Sequence, residues 1–321
     1  MIRNPWLLLA VLAALVAASL LAALITGGGS VSWPADAADW RIVLEIRLPR
    51  AIAALATGGL LALAGTLMQV LLRNPLADPY ILGVSGGAGA FALAGMMLGI
   101  TIVPLEVQAF AGALLATVVV FVLGRGSGPW SSARMLLTGV VVAAGWGALI
   151  ALMLAVGDDR SLRGMLFWLM GDLSYARLSA WWLLPLAALV ALLMVRARSL
   201  NILAAGETQA ELLGEDTRRR YLELYVAASA LTALAVSIAG TIGFVGLVVP
   251  HLMRLVVGAD HRRLLPAAAL FGGAFLVLAD TLARSVFSPR QLPVGVLTAL
   301  VGVPLFLFLL NRAGKAKSQA D

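Results

Sequence analysis

The sequence predicts an all-α protein that crosses a membrane ten times, and three observations carry that reading. Hydrophobic residues make up 61% of the chain and the mean hydropathy is +0.99, far from the roughly half-apolar composition of a soluble domain. The apolar residues come in long unbroken runs, most of them able to span a hydrocarbon core of about 30 Å as helix. Charged residues, only 12% of the total, collect in the gaps between runs. All 321 residues are read as a single transmembrane domain.

The first run, Trp6 to Ile25, follows Arg3-Asn4-Pro5. It is longer than the 7–15-residue core of a signal peptide and is read as an uncleaved first helix. Gly27 to Asp39 is expected to be a loop. The second span, Arg50 to Leu72, ends at Arg73-Asn74-Pro75-Leu76-Ala77-Asp78-Pro79, a turn signal with two prolines. The third, about Tyr80 to Ile100, is rich in glycine and suited to close helix contact. Leu105–Leu123 and Arg134–Val156 follow, separated by a Gly/Ser loop that contains Ser131 and Ser132. Gly157 to Ala180 is expected to hold a short amphipathic surface helix around Met165 to Met170, before a sixth span at Trp181–Val195. The remaining spans are Tyr221–Ile242, Phe244–Val257, Leu265–Ser285 and Val294–Leu310. Phe244–Val257 is too short to cross as a straight helix and contains Pro250, so it reads as a half-helix facing a protein-lined interior.

One polar segment interrupts the series. Arg196 to Glu223 carries ten charges in 28 residues. Leu200–Ala205 is a short helix former that Gly206 stops, and Gly214 stops a second one. Thr208-Gln209-Ala210-Glu211 fits a capping box. The segment is either a solvated loop or a compact foot of two short helices, with Ala204, Ala205 and Ala210 allowing another surface to approach. With both termini inside, 15 of the 23 Lys and Arg fall on the cytoplasmic side, as the positive-inside rule favours. The foot is then cytoplasmic. The net charge of +7 reflects those retained basic loops and not a nucleic-acid partner; as a membrane protein the chain is expected to have lipid as a partner.

Ala64-Gly65-Thr66, Pro75 and Gly83 recur 175 residues later as Ala239-Gly240-Thr241, Pro250 and Gly258. The helices concerned run in opposite directions, so the halves read as inverted pseudo-repeats, a common way to build a transport pathway.

No catalytic set is present: there is no Walker phosphate loop, HExxH or GxSxG. Any ATP must bind elsewhere. Cys is absent and His occurs twice, at His251 and His261, so no metal site is expected. Asp280 lies four residues before Arg284 and is expected to pair with it. Arg47, Arg50 and Arg284 fall at outer helix ends, where they either snorkel to headgroups or form a docking rim.

Several long stretches carry a resemblance. Arg47-Leu48-Pro49-Arg50, AGTLMQVLLRNPLADPYILGVSGGAGA from Ala64, AAGETQAELLG from Ala204 and GTIGFVGLVVPHLMRLVVGADHRRLLP from Gly240 resemble the permeases of type II ATP-binding-cassette importers, which carry ferric siderophores, haem and cobalamin. The resemblance covers about Arg47 to Leu310. It implies a homodimer with its pathway on the axis, two ATP-binding subunits beneath and a periplasmic binding protein above, in a bacterial inner membrane. It implies that ATP and Mg sit on the partner ATPase and no cofactor on this chain. Gly206, Glu207, Ala210, Leu213 and Gly214, within a coupling segment 196–220, would engage the ATPase. Arg47, Arg50 and Arg284 would meet acidic residues of the binding protein. Asn74 and Leu76, with Ser131 and Ser132, would form the cytoplasmic gate. An iron chelate is the expected cargo, cobalamin the alternative. A self-sufficient secondary transporter is the reading from another class, and it would leave the foot unexplained.

Overall fold

The computed structural model describes residues 5–27, 30–31, 33–125, 132–174, 176 and 183–318. Helix α1 (Pro5–Ile25) leads through the two-residue strands β1 (Thr26–Gly27) and β2 (Ser30–Val31) to α2 (Ala37–Ile42) and a π-helical turn, Val43–Arg47. Then come α3 (Leu48–Leu71), a 3-10 turn at Pro79–Leu82, α4 (Val84–Met97), α5 (Leu105–Arg125), α6 (Ser132–Val156) and α7 (Asp159–Leu169). The second half holds α8 (Leu183–Val195), α9 (Ala197–Ala204), α10 (Glu207–Leu212), α11 (Thr217–Ala239), α12 (Val245–Val257), α13 (His261–Ser285) and α14 (Val294–Ser318).

Among the described residues, six helices are long and apolar enough to cross a membrane: α1, α3 with its lead-in, α5, α6, α11 and α13. α8 and α9 form one further span bent by 58°, and α4, α12 and the apolar part of α14 are shorter. These are the ten apolar segments read from the sequence, in the same order. Two local expectations change. The segment expected to be a loop between Gly27 and Asp39 holds a strand pair and the start of α2, capped by Asp36 accepting from the Asp39 N–H at 2.8 Å. The amphipathic helix runs Asp159–Leu169 and buries Met165 and Trp168. The start of the sixth span, Trp181–Trp182, lies outside the described residues.

α3 forms the centre. Every residue from Arg50 to Leu71 is buried, against α11 on one side and α13 on the other. In lipid there is no hydrophobic drive between helices, so such packing relies on close backbone approach through small residues. Gly58 of α3 meets Gly272 of α13 this way: a Cβ on either would run into the other's carbonyl. Gly65 of α3 meets the carbonyl of Gly246 in α12.

The eighth apolar run is the half-helix expected, and the third is one too. α12 starts at Val245 after Phe244, whose φ is +69°, beside Leu61 and Gly65 in the body of α3. α4 starts after the 3-10 turn rather than at Tyr80. The two starts touch: the Ile242 N–H donates to Tyr80 Oη at 3.0 Å, and the Pro79 ring abuts Gly246. Broken helices are tolerated at such depth because protein, not lipid, surrounds the freed backbone.

Packing exchanges partners between halves. α3 contacts α12 and α13, while α11 contacts α4 and α5, which are their counterparts in the first half. That exchange fits inverted repeats α3–α6 and α11–α14. The 175-residue register does not hold, however. Ala64-Gly65-Thr66 sits within α3, whereas Ala239 ends α11 and Gly240, at φ +68°, leaves the helix. Pro75 lies in a turn and Pro250 inside α12. The repeat resides in helix order and length. The loops joining the helices differ between halves and displace the residue register.

Candidate functional site

Two sites stand out, at opposite ends of the bundle. The first joins the foot to the turn after α3. α9 buries Ala197, Leu200 and Leu203, three residues apart on one face. Gly206, at φ +120°, then turns the chain into α10, and Gly214, at φ +82°, ends it. Both are conformations that L side chains rarely adopt, so the stops fall where the sequence placed them. The capping box does not form. α10 begins at Glu207, and the Gly206 carbonyl accepts from the Ala210 N–H at 2.9 Å, which leaves Thr208 inside the first turn. Glu211 instead accepts from Thr217 Oγ1 at 3.0 Å, fastening the foot to α11.

The foot has three further attachments. Asn201 Nδ2 donates to Asp260 Oδ1 at 2.7 Å, and Asn201 Oδ1 accepts from the His261 N–H at 2.9 Å. His261 Nδ1 lies 2.6 Å from the same oxygen, so this nitrogen carries the proton. Asp260 also caps α13 by accepting from the Arg262 N–H. The Asn201 hydrogen bond, with the neighbouring arginines, holds the Asp260 carboxyl below the usual aspartate range. Arg196, Arg219 and Arg220 converge on Glu223, and Arg220 also pairs with Glu215 at 2.9 Å. The third attachment is an ion pair of 3.8 Å between Arg73 and Glu207.

Arg73 opens the turn expected to act as a gate. Its φ is +48°. Asn74 Oδ1 accepts from the Leu76 N–H at 2.9 Å, an Asx turn closed over Pro75. The Asn74 N–H donates to the Gln69 carbonyl. Gln69 in turn donates to the Leu247 carbonyl at 3.2 Å and accepts from Arg254 at 3.0 Å. Asn74 and Leu76 therefore sit between the foot, α3 and α12. Ser131 lies outside the described residues, and so does the side chain of Ser132, the first residue of α6.

Within the foot the expected coupling residues divide. Leu213 is 66% exposed, beside Leu212 at 84%, and the glycines face open space. Ala204 and Ala205 are exposed as well. Ala210 is fully buried, on the inner face of α10.

The second site is at the far end. Arg50 is 7% exposed and Asp280 2%. Arg50 Nε reaches both oxygens of Asp280, at 3.1 and 2.9 Å, and Nη2 reaches Oδ1 at 2.8 Å. Arg50 Nη1 donates to Ser174 Oγ and Gln291 Oε1, both at 3.0 Å. Asp280 lies 3.5 Å from Arg284 as expected from their spacing, but Arg50 is its main partner. Arg284 Nη2 donates to the Ala23 carbonyl at 2.7 Å and Arg47 Nη1 to the Leu24 carbonyl at 2.6 Å. The three arginines are thus brought together, but they knit α1, α3 and α13 rather than standing free. Arg50 in particular is committed inward, to Asp280, Ser174 and Gln291. The reason is a buried carboxylate that no local pattern links to it.

The sequence reading missed Arg73, the Asn201–Asp260–His261 joint and the partner of Arg50. Arg73 had a signal, a charge directly before the Asn-Pro-Leu turn. The others link residues 59 to 230 positions apart, beyond any local periodicity.

A bundle with two half-helices meeting inside it, inverted halves and a polar foot tied to a turn at one end is the permease of a type II ATP-binding-cassette importer. The chain belongs to the FecCD transport family, whose profile matches residues 6–312. It is 42% identical over 291 residues to the hemin transport system permease protein HmuU of Yersinia pestis, covering 88% of this chain and 86% of that one. It is 46% identical over 277 residues to the cobalamin import system permease protein BtuC of Halobacterium salinarum, covering 84% and 73%. A solved structure described as an inward-facing conformation of a metal-chelate type ABC transporter matches with a TM-score of 0.86 and 31% identity, over 95% of this chain and 98% of that one. PsaBC from Streptococcus pneumoniae shares the fold alone, at TM-score 0.52 and 15% identity.

Proposed function

We propose that this permease passes an intact iron chelate, of the haem or ferric siderophore class, through the axis of a homodimer in a bacterial inner membrane, with both termini cytoplasmic. ATP and Mg are bound and hydrolysed on two separate cassette subunits seated on the foot. A periplasmic binding protein delivers the chelate at the Arg47–Arg284 end. The observation that carries the reading is the unbroken chain from the exposed Leu212–Leu213 face through Glu207 and Arg73 to the Asn74–Leu76 turn and α12. A push on the foot has a short mechanical route to a gate between α3 and α12. With no Cys and two His in the sequence, the walls offer the metal little, which favours passage of the whole chelate.

Cobalamin is the second reading, supported by the 46% identity to a cobalamin permease. Co-expression with the neighbouring ATPase, reconstitution into proteoliposomes and a panel of haemin, ferric siderophore and cobalamin with the neighbouring binding protein separates the two. Haemin- or siderophore-stimulated ATP hydrolysis in a complex of two permeases and two ATPases supports the proposal. Stimulation by cobalamin alone replaces the cargo, and a permease that never retains an ATPase overturns the coupling.

A further inference from the structure

The 58° bend between α8 and α9 opens a wedge against α11. It frames a half-open cleft of about 300 Å³. Its wall is apolar, built from Leu192, Leu193, Leu200, Leu203, Leu224 and Ala227. Its charged lining is Arg196, Arg220 and Glu223. With Arg219, the two arginines make three guanidiniums that share Glu223, and Glu215 is the only other carboxylate paired to them among the described residues. Arg219, exposed beside the cleft and outside its lining, leaves this group of three guanidiniums and two carboxylates with one positive charge in excess. Ser199 Oγ, on the wall, is buried and has no hydrogen-bond partner among the described residues. Leu192, on the wall, and Val195 of α8 are 59% and 80% exposed.

We infer that this wedge is a binding site for an anionic glycerophospholipid of the cytoplasmic leaflet. One acyl chain lies along the leucine wall, an ester oxygen meets Ser199 Oγ, and the phosphate takes the donors of Arg196, Arg219 and Arg220 in competition with Glu223. Basic pockets between membrane helices on the cytoplasmic side suit such headgroups, and the guanidinium fork matches phosphate oxygens. The apolar wall in the same cleft as the guanidiniums distinguishes a lipid from a soluble anion, which has nothing to place there. The inference rests on the orientation proposed above. It also places the headgroup on the residues that anchor the foot, so lipid charge would bias the coupling segment.

The test uses the full complex, delipidated in mild detergent, with native mass spectrometry of phosphatidylglycerol against phosphatidylethanolamine. Phosphatidylglycerol is expected to be retained preferentially. Arg196→Gln and Arg219→Gln should each weaken its retention about fivefold. Glu223→Gln, which removes the internal competitor, should strengthen it, a change of sign that mere unfolding cannot produce. Ala227→Phe, which fills the wedge, should abolish retention, and Arg163→Gln on α7 should leave it unchanged. Equal retention of both lipids, or insensitivity to the arginine and glutamate variants, overturns the site. Displacement of phosphatidylglycerol by millimolar inorganic phosphate would show a soluble-anion site instead and overturn it equally. Because the chain has no Cys, Arg198→Cys labelling in spheroplasts reads the orientation separately. Labelling from outside would sink the cytoplasmic placement whatever the lipid result.

Discussion

Arg50 and Asp280 stand 230 residues apart in the chain, yet three nitrogen–oxygen contacts of 2.8 to 3.1 Å join them in a place almost closed to solvent. Both charges are desolvated, and each satisfies the other. Removing Asp280 strands Arg50, and Arg284 3.5 Å from the same carboxylate, without a counter-charge, which costs on the order of 3–5 kcal/mol. Asp280→Asn should therefore lower the thermal midpoint of the detergent-solubilised protein sharply, as followed by fluorescence-detected size exclusion. The triple substitution Arg50→Leu, Asp280→Leu and Arg284→Leu, which removes the whole buried charge cluster, should recover most of the loss. A single substitution without effect would mean that the pair is not formed.

Arg73 and Glu207 make the opposite case. Their side chains are 46% and 37% exposed at 3.8 Å, so the pair contributes at most about 1 kcal/mol to stability. Its importance lies in what it connects, the foot and the gate turn. Arg73→Glu should leave the thermal midpoint within a degree or so while cutting cargo uptake and leaving ATP hydrolysis running. The exchange Arg73→Glu with Glu207→Arg should restore uptake. If Arg73→Glu transports normally, force passes by another route, most directly through Asn201 to α13.

The helices were legible in the sequence because hydropathy, glycine stops and proline turns are local signals. Gly206 and Gly214 ended their helices where expected, since a positive φ leaves few alternatives. Tertiary polar links were not legible. Asp280 was correctly paired with Arg284 by helical spacing, yet Arg50, which no periodicity connects to it, holds it more closely. The capping box at Thr208 failed for a related reason: Gly206 supplied the start of α10 from the backbone alone, and Glu211 found a better donor in Thr217. The repeat was visible in order but not in register, because loops shift register without disturbing helix packing.

The foot can be dissected by burial. Ala210 is fully enclosed and Leu213 projects into solvent. Ala210→Arg should uncouple transport by dislodging α10, with a fall in thermal stability, since burying an unpaired charge is costly. Leu213→Asp should also lose retention of the ATPase during gel filtration, but with the permease itself as stable as before. Loss of stability in Leu213→Asp would mean that this face packs on the permease rather than on a partner.

The joint of Asn201, Asp260 and His261 should respond to acid. The folded Asp260 carboxyl is held below its usual range, first by the Asn201 hydrogen bond, so the unfolded joint binds more protons. Its stabilisation is complete above the ordinary aspartate range and fades as pH falls through the lowered folded value. The protection of the α9 amides, taken relative to the intrinsic exchange rate at each pH, should then fall on acidification below about pH 4, before that of the amides of buried α3. Asn201→Leu should raise α9 exchange at neutral pH as well and remove most of the acid step. An acid step of the same size in that variant would place its origin elsewhere, in the His261 imidazole of the same joint or in the Glu215–Glu223–arginine network that anchors the start of α11.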